Sequence, residues 1–190
     1  DNCILLTTDA GTTWNPQSYP NMEGYFGGVC FSDSMNGWVV GSGGAILHTT
    51  NGGTKWTQQT SGASNGFETV FCLDTNTAWA VGYSIILHTT NGGATWTSQT
   101  PGITTGIWDV FFTNADTGTA VGGWCINCLE KPFYGGYILR TTDGGVTWTI
   151  QRHDTTMIGL YGVFFTDANT GTVVGAGGTI LCTTNGGATW

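Results

Sequence analysis

Charged residues are scarce in this sequence, and basic residues are the scarcest of all. Only 8% of the 190 residues are charged, and four basic residues stand against twelve acidic ones, for a net charge of −8. Nucleic-acid-binding proteins neutralise phosphates with clustered Lys and Arg, whereas the basic residues here are dispersed: Lys55, Lys131, Arg140 and Arg152. The composition therefore excludes a nucleic-acid partner and argues equally against an anionic membrane surface.

Long apolar stretches are missing as well. No run approaches the ~20 residues that a helix needs to cross a bilayer, so we expect no membrane span, and no signal peptide is visible after Asp1. Aromatic residues are plentiful, with 9 Trp, 9 Phe and 6 Tyr, and many of the 32 glycines recur at fixed offsets. This composition predicts a folded, turn-rich, all-β protein rather than a disordered chain.

The six cysteines are an even number, which fits disulfides. Together with the scarcity of charge, they predict an extracytoplasmic location: secreted, periplasmic or at the cell surface. Cys30 and Cys72 lie in apolar strand patterns, which favours buried free thiols. The pair Cys125 and Cys128 can be a redox pair, a metal site or a local disulfide. A zinc site needs four ligands and a c-type haem needs His where Leu129 stands, so we prefer a disulfide. No metal and no cofactor are predicted.

An eleven-residue segment occurs five times. Its first copy runs from Ile4 to Trp14 and reads Ile-Leu-Leu-Thr-Thr-Asp-Ala-Gly-Thr-Thr-Trp. The copies end at Trp14, Trp56, Trp96, Trp148 and Trp190, with spacings of 42, 40, 52 and 42 residues. The period is therefore about 41 residues, with one insertion of about ten, and periods near 40 to 45 are typical of four-stranded propeller blades.

Each unit repeats four strand patterns. The first resembles Val-x-Phe, the second Trp-x-Val-Gly and the third Ile-Leu-x-Thr-Thr, while the fourth begins near the closing Trp. We predict an all-β propeller of four-stranded antiparallel blades, with about four and a half repeats present. The predicted units are a partial blade 1–19, blades 20–60, 61–100 and 101–152 with an insertion at 123–137, and an incomplete blade 153–190.

The turn between the third and fourth strands explains its own composition. Glycines accept the positive φ of a tight turn, and the Asn or Asp side chain can bond nearby backbone N–H groups. We therefore expect these residues to lock the turns: Asp9, Asn51, Asn91, Asp143 and Asn185. We expect the closing Trp of each copy to pack between neighbouring blades. Because three of the five copies carry Asn, no carboxylate is required and calcium binding is not indicated.

Thr7-x-Asp9-x-Gly11-x-Thr13-Trp14 resembles the Asp-box repeat of bacterial neuraminidases, Ser/Thr-x-Asp-x-Gly-x-Thr-Trp. The full unit is similar to the propellers of photosystem II assembly and stability factors and of their secreted bacterial relatives. The resemblance covers essentially the whole chain and implies the propeller fold. Such propellers serve as sialidases, glycoside hydrolases, sorting receptors and assembly factors, so the fold does not select a function. In the assembly factors a basic patch is expected to contact the partner, and this chain has only four basic residues.

Both ends of the chain contribute a third strand, so one is surplus to a ring closed end to end. Open ends would expose sheet edges, which soluble proteins avoid. We therefore expect a part of a longer propeller, of six to eight blades by the resemblance. The alternative is an array that other chains complete.

Catalytic residues are not indicated. Sialidases, as the resemblance implies, hold their substrate with three arginines and use a tyrosine nucleophile, whereas this chain has only Arg140 and Arg152. Other glycosidases need two carboxylates at a defined separation, and no such pairing is visible. Three of the acidic residues occupy recurring turn positions: Asp33, Asp74 and Asp167. His48 and His88 hold equivalent third-strand positions without a third ligand, which argues against a metal site.

Aromatic residues concentrate at one predicted face. The insertion lies between the second and third strands of its unit, on the face of the connections between blades and opposite the Asp-box turns. It carries residue types that often anchor interfaces: Trp124, Phe133, Tyr134 and Tyr137. The same face or the core receives the aromatics that recur just before the first strands: Phe26, Trp108 and Tyr161. Partner binding and self-packing of the insertion both fit this pattern.

The preferred function is a non-catalytic extracytoplasmic scaffold for protein–protein interaction or assembly. Its partner would be another protein or a second copy of the chain. The alternative is a carbohydrate-binding or glycoside-processing propeller with a glycan partner, because exposed aromatics also stack on sugars. The family resemblance suggests a third hypothesis, a role in photosystem assembly.

Overall fold

The computed structural model describes residues 3–20, 22–123, 135–155 and 159–190. Across these ranges it contains seventeen β-strands and two short 3-10 helices, Ser42–Gly44 and Ala176–Gly178. The strands form five antiparallel sheets, each built from strands consecutive in the chain. The chain is an all-β propeller, as the repeat predicted.

The N-terminal sheet has two strands, β1 (Leu5–Leu6) and β2 (Asn15–Pro16). Blade 1 follows with β3 (Phe26–Phe31), β4 (Gly37–Gly41), β5 (Ala45–Thr49) and β6 (Thr57–Gln58). Blade 2 has β7 (Phe67–Cys72), β8 (Ala78–Gly82), β9 (Ile85–Thr89) and β10 (Thr97–Gln99). In each blade, every strand pairs with its sequence neighbours.

Blade 3 has β11 (Ile107–Phe112), β12 (Gly118–Gly123), β13 (Gly136–Thr141) and β14 (Thr149–Asp154). Blade 4 has three strands, β15 (Leu160–Phe165), β16 (Gly171–Gly175) and β17 (Ile180–Thr183). Strands β12 and β13 extend into the segment predicted as an insertion, so Tyr137 lies within β13. No helix in the described ranges has the length and apolar character needed to cross a membrane.

The hydrophobic core lies between neighbouring blades. In β8, Trp79 and Val81 pack towards blade 3, whereas Ala78 and Ala80 pack towards blade 1. This alternation follows from the period of two in a strand, which sends successive side chains to opposite faces of the sheet. Both faces are covered, so the second strands of blades 1 to 3 are buried at every residue. That burial accounts for their continuous apolar sequences.

The first strands of successive blades contact one another and line the inside of the array. We call β3, β7, β11 and β15 the inner strands. Phe71 and Phe111, which are equivalent in the repeat, meet with ring centroids 5.1 Å apart, and Phe111 lies 5.0 Å from Phe164 in the next blade. Aromatic contacts therefore join the inner strands of blades 2, 3 and 4.

The prediction that Cys30 and Cys72 are free thiols was wrong, because they form a disulfide. Cys30 is equivalent to Phe71 in the repeat, so the bond joins positions offset by one residue on adjacent inner strands. The same offset brings Phe71 within 6.1 Å of Phe112 in the next pair of blades. The close approach of the inner strands, with the two cysteine Cα atoms 5.9 Å apart, is what makes the bond possible.

The other cysteines do not pair within the described residues. Cys3 and Cys182 are exposed free thiols. Cys125 and Cys128, which we predicted to form a local disulfide, lie outside the described ranges.

Candidate functional site

The blade topology gives the molecule two distinct faces. The turns between third and fourth strands and between first and second strands share one face, where Gly52 N donates to Met35 O at 2.9 Å. We call it the Asp-box face. The second face, which we call the loop face, carries the starts of the inner strands, the connections between second and third strands, and the links between blades. Phe26 pairs with Gly41 at this end of blade 1.

On the Asp-box face, each turn satisfies its own polar groups. In blade 2, Thr89 Oγ1 accepts from Gly93 N at 2.9 Å and donates to Asn91 Oδ1 at 3.0 Å, while Asn91 Oδ1 also accepts from Thr95 N at 3.0 Å. Equivalent bonds form in the copies that contain Asp9, Asn51, Asp143 and Asn185. The arrangement locks the turn.

The two Asp copies show how strongly the turn holds its acceptor. A hydrogen bond from the Thr13 hydroxyl, followed by one from its backbone N–H, lowers the pKa of Asp9 to about 2. Thr147 does the same for Asp143, whose pKa is also about 2. An amide oxygen accepts the same N–H bond, which explains why Asn serves in the other three copies.

Two closing tryptophans donate hydrogen bonds to glutamines of the preceding blade. Trp96 Nε1 donates to Gln59 Oε1 at 3.1 Å, and Gln59 Nε2 donates to Gly92 O at 2.7 Å. Gln99 makes the same pair of bonds to Trp148 Nε1 and Gly144 O. The fourth strand of one blade thus holds the Asp-box turn of the next.

Sequence reasoning missed this glutamine bond, although a signal was present. A Gln stands three residues after each of the first four closing tryptophans: Gln17, Gln59, Gln99 and Gln151. Of the closing tryptophans, Trp56 and Trp148 are buried, Trp96 and Trp190 are half-buried, and Trp14 is 56% exposed.

The recurring aspartates of the first turns are also structural. Asp33 Oδ1 accepts from Met35 N and Asn36 N, both at 2.7 Å, and these bonds lower the pKa of its carboxyl. The same two backbone bonds form at the equivalent residues Asp74, Asn114 and Asp167. These side chains, three carboxylates and one amide, close turns.

His48 and His88 stack on tryptophans of their own blades. Trp38 and His48 are cross-strand partners with ring centroids 4.5 Å apart, and Trp79 and His88 are the same distance apart. Burial lowers the pKa of both histidines. No group of three His, Cys, Asp or Glu side chains in the described part of the chain is arranged to hold a metal ion.

The inner strands carry a β-bulge at the loop face. The register shifts after Phe26, Phe67, Ile107 and Leu160, which leaves one unpaired residue in each strand. These residues are Gly27, Glu68, Trp108 and Tyr161, and we call them the bulge row. Bulges redirect a side chain and are over-represented beside functional sites.

The sequence pattern grouped Phe26 with Trp108 and Tyr161, but the register separates them. Phe26 is equivalent to the buried Phe67 and packs edge-on against Tyr19, with centroids 5.2 Å apart. Its repeat position is therefore a core position. Phe26 is paired with Gly41, whereas the next residue, Gly27, is the unpaired bulge residue of the strand. Only the pairing register therefore separates Phe26 from the bulge row.

Trp108 and Tyr161 form a fixed aromatic pair. Their ring centroids are 6.2 Å apart in an edge-to-face arrangement, and Trp108 Nε1 donates to Gly123 O at 2.8 Å. Glycines two residues earlier make room for both rings. A Cβ at Gly106 would lie 3.1 Å from the Trp108 indole, and one at Gly159 would lie 3.3 Å from the Tyr161 ring. Tyr161 is 46% exposed, so the pair presents aromatic surface at the loop face.

Asp109 holds the two strands that carry this pair. Its Oδ2 accepts from Val163 N at 2.9 Å, across the gap between β11 and β15. Its Oδ1 accepts from Val110 N at the same distance. Burial raises the pKa of Asp109, against the opposing effect of these two bonds. The carboxylate therefore links the two strands that carry the aromatic pair.

Glu68 occupies the bulge row on the next inner strand. The Tyr25 hydroxyl donates to Glu68 Oε1 at 3.4 Å, while Tyr25 N donates to Ser42 Oγ at 2.9 Å. Desolvation and then the Glu68 charge raise the pKa of Tyr25. Tyr25 is 51% exposed, so this corner of the loop face combines an aromatic ring with a carboxylate.

The remaining predicted aromatics fall on blade 3. Tyr137 stacks on His153 with centroids 4.1 Å apart, beside the ion pair between Arg152 and Asp154 at 2.9 Å. Trp124, Phe133 and Tyr134 lie outside the described residues.

The basic side chains in the described ranges do not form a patch. Arg140 is buried, with its guanidinium 5.1 Å from the Phe165 ring and a 2.7 Å bond from Nη2 to Ala168 O. Arg152 is paired with Asp154, and Lys55 belongs to an Asp-box turn. The basic patch implied by the family resemblance is therefore absent from the described part of this chain.

Comparisons with known proteins agree with the propeller architecture. The chain is 36% identical over 58 residues to photosystem II stability/assembly factor HCF136, chloroplastic, of Arabidopsis thaliana, a match to 28% of this chain and 14% of that protein. YCF48 from Cyanidioschyzon merolae superimposes with a TM-score of 0.69 at 20% identity, over 96% of this chain and 63% of that one.

Two further solved structures share the fold. YCF48 bound to D1 peptide gives a TM-score of 0.51 at 20% identity, over 98% of this chain and 73% of that one. An ancestral GH74 enzyme gives 0.73 at 21% identity, over 95% of this chain and 25% of that one. The chain thus spans less than two thirds of the Arabidopsis and Cyanidioschyzon proteins. The model of the family described as photosynthesis system II assembly factor YCF48 matches residues 6–157, and this chain belongs to that family.

Proposed function

We propose that this chain is a non-catalytic protein-binding propeller that acts in photosystem II assembly and holds a segment of its partner on the loop face. Family membership supports the assembly role, and a related propeller is known bound to D1 peptide. The observation that carries the choice of face is the fixed aromatic pair of Trp108, which is half-buried, and Tyr161, which is 46% exposed. Trp and Tyr are the residue types that most often anchor protein interfaces.

The contrast with the Asp-box face supports this choice. There, the Thr, Asn and Asp groups bond within their own turns, so a ligand would have to displace existing bonds. On the loop face, backbone and glycine contacts fix the aromatic rings before any partner arrives. Such preorganisation lowers the entropic cost of binding.

A non-catalytic role is consistent with the contacts of five acidic residues. Asp33, Asp74 and Asp167 close turns, Asp143 locks an Asp box and Asp109 clamps two strands. A glycosidase needs one carboxylate free to donate a proton and a second free to attack or activate water. Release of reducing sugar from a soluble β-glucan by the purified chain would contradict this part of the proposal.

We also propose an extracytoplasmic compartment for the chain. The disulfide between Cys30 and Cys72 supports this location, because such bonds persist in oxidising compartments. The Arabidopsis relative is chloroplastic by name. Alkylation of Cys30 and Cys72 in the native protein before reduction would contradict the proposal.

Titration calorimetry with a synthetic D1 peptide tests the proposed binding face. We expect Trp108→Ala and Tyr161→Ala each to weaken binding by about tenfold, the loss typical of an interface anchor. Val146→Ala is the matched control, since Val146 is 77% exposed on the Asp-box face. Equal affinity in all three variants, or a loss only with Val146→Ala, would overturn the choice of face.

A further inference from the structure

We infer that the bulge row binds a cationic side chain of the partner, an Arg or Lys, between the Glu68 carboxylate and the Trp108 ring. This inference rests on the proposed function and adds the chemistry of the segment that the loop face recognises. It concerns three residues at one register position on adjacent inner strands: Glu68, Trp108 and Tyr161.

The strand register places a carboxylate on the inner strand next to an aromatic pair. Glu68, Trp108 and Tyr161 are the bulge residues of β7, β11 and β15, and these strands are neighbours in the array. Adjacent inner strands approach closely at this level: a Cβ at Gly27 would lie 2.7 Å from Glu68 O, and the Trp108 and Tyr161 ring centroids are 6.2 Å apart. The hydrogen bond from Trp108 Nε1 to Gly123 O turns the polar edge of the indole to the backbone.

The Glu68 carboxylate has no cationic partner within the described ranges. The one ion pair there joins Arg152 and Asp154, and Arg140 is buried towards the opposite face. Glu68 accepts a single 3.4 Å bond from the Tyr25 hydroxyl, which leaves acceptor capacity on both of its oxygens. The net charge of the chain, −8, adds a field that attracts cations.

This combination distinguishes among partner side chains. An aromatic pair alone would accept apolar, proline or cationic groups. A neighbouring carboxylate repels acidic groups and makes no favourable interaction with apolar groups. A guanidinium, in contrast, can stack on an indole and hydrogen-bond a carboxylate at the same time. The charge of this surface is opposite to that of the basic patch implied by the family resemblance.

The test uses Nα-acetyl-L-arginine amide as the probe and Nα-acetyl-L-citrulline amide as its neutral counterpart of equal shape. Each is titrated into the full chain while the NMR signal of the Trp108 indole N–H is followed. We expect arginine to shift this signal with an affinity about tenfold above that of citrulline. Added salt should weaken only the arginine titration, because screening acts on the charge pair.

Glu68→Gln is the matched variant, because it keeps the size of the side chain and removes its charge. It should lower arginine affinity to the level of citrulline and leave citrulline affinity unchanged. Tyr25→Phe is the control that removes the competing hydroxyl and should not weaken arginine binding. Equal affinity for both probes, no shift of the Trp108 signal, or no effect of Glu68→Gln would each overturn the inference.

The two proposals fail separately. If the D1 peptide still depends on Trp108 and Tyr161 but the arginine preference is absent, the cationic partner is wrong and the loop face remains the binding face. If the peptide is insensitive to Trp108→Ala, the proposed function itself fails.

Discussion

The two faces of the propeller differ in how much their side chains vary from one repeat to the next. On the Asp-box face, the five copies make the same bonds whether they contain Asn or Asp. Asn91 and Asp143, for example, accept the equivalent backbone bond. On the loop face, one register position holds Gly27, Glu68, Trp108 and Tyr161 in turn. Uniform positions maintain the blade, because every blade has the same turn to close. A position whose side chain varies while its backbone geometry stays constant is free to acquire a role in partner binding.

The largest expected effect concerns the disulfide at the Asp-box end of the inner strands. Replacing both Cys30 and Cys72 with Ala should lower the free energy of unfolding by about 4 kcal/mol, the chain-entropy value for cysteines 42 residues apart. Urea denaturation measures the change. The exposed pair Cys3 and Cys182, replaced in the same way, is the control and should leave stability unchanged.

At permissive temperature the disulfide variant should still bind D1 peptide, since the bond lies away from the bulge row. A loss of peptide affinity equal to that of Trp108→Ala would remove the distinction between the two faces.

The next effect is the loss of one Asp-box bond set. Thr89→Val keeps the shape of the side chain but removes the acceptor for Gly93 N and Asn91 N, and it should cost about 1–3 kcal/mol of stability. Thr89→Ser keeps the hydroxyl and should cost less. Thermal or urea unfolding distinguishes them, and peptide affinity should be unchanged in both. Equal stability of Thr89→Val and the parent protein would show that the turn bonds contribute nothing.

A loop-face change should show the opposite pattern. Gly106→Ala places a methyl group 3.1 Å from the Trp108 indole, so the ring must move. We expect about a fivefold loss of D1 peptide affinity, with stability changed by less than about 1 kcal/mol. In a Trp108→Ala background the same change should have no further effect, because there is no ring left to displace. A further loss in that background would show that Gly106 acts by another route.

The smallest effect is a pH dependence from the Trp–His stacks, which lie nearer the Asp-box face. Burial lowers the pKa of His48 and His88 in the folded chain below the ordinary value of 6.5. As pH falls through 6.5, the unfolded chain takes up protons that the folded chain does not, so the free energy of unfolding decreases until the folded pKa values are passed. Urea unfolding between pH 7.5 and pH 5 measures the slope.

His48→Gln with His88→Gln should flatten this pH slope. An unchanged slope in the double variant would assign the dependence to other groups. Peptide affinity should not follow the same profile, because neither histidine lies at the loop face.

Local sequence patterns predict much of the fold. The Ile-Leu-x-Thr-Thr segments are third strands, and the Asn-Gly-Gly turns follow them as expected. These features are predictable because their bonds form within a few residues, as between Thr89 and Gly93. The recurrence of aromatics before the first strands also indicates Trp108 and Tyr161 as candidates, whereas Glu68 joins the site only through the bulge register.

The blade repeat, the strand order and the turn chemistry are predictable from sequence patterns, since each depends on residues within one unit of about 41. Only the tertiary contacts show which cysteines pair, that Phe26 packs against the core rather than in the bulge row, and that Asp109 bonds β15 through Val163 N. They also show that Gln59 reaches the next blade. The physical reason is that these contacts join residues 33 to 54 positions apart or depend on a one-residue bulge, and a periodic pattern specifies neither.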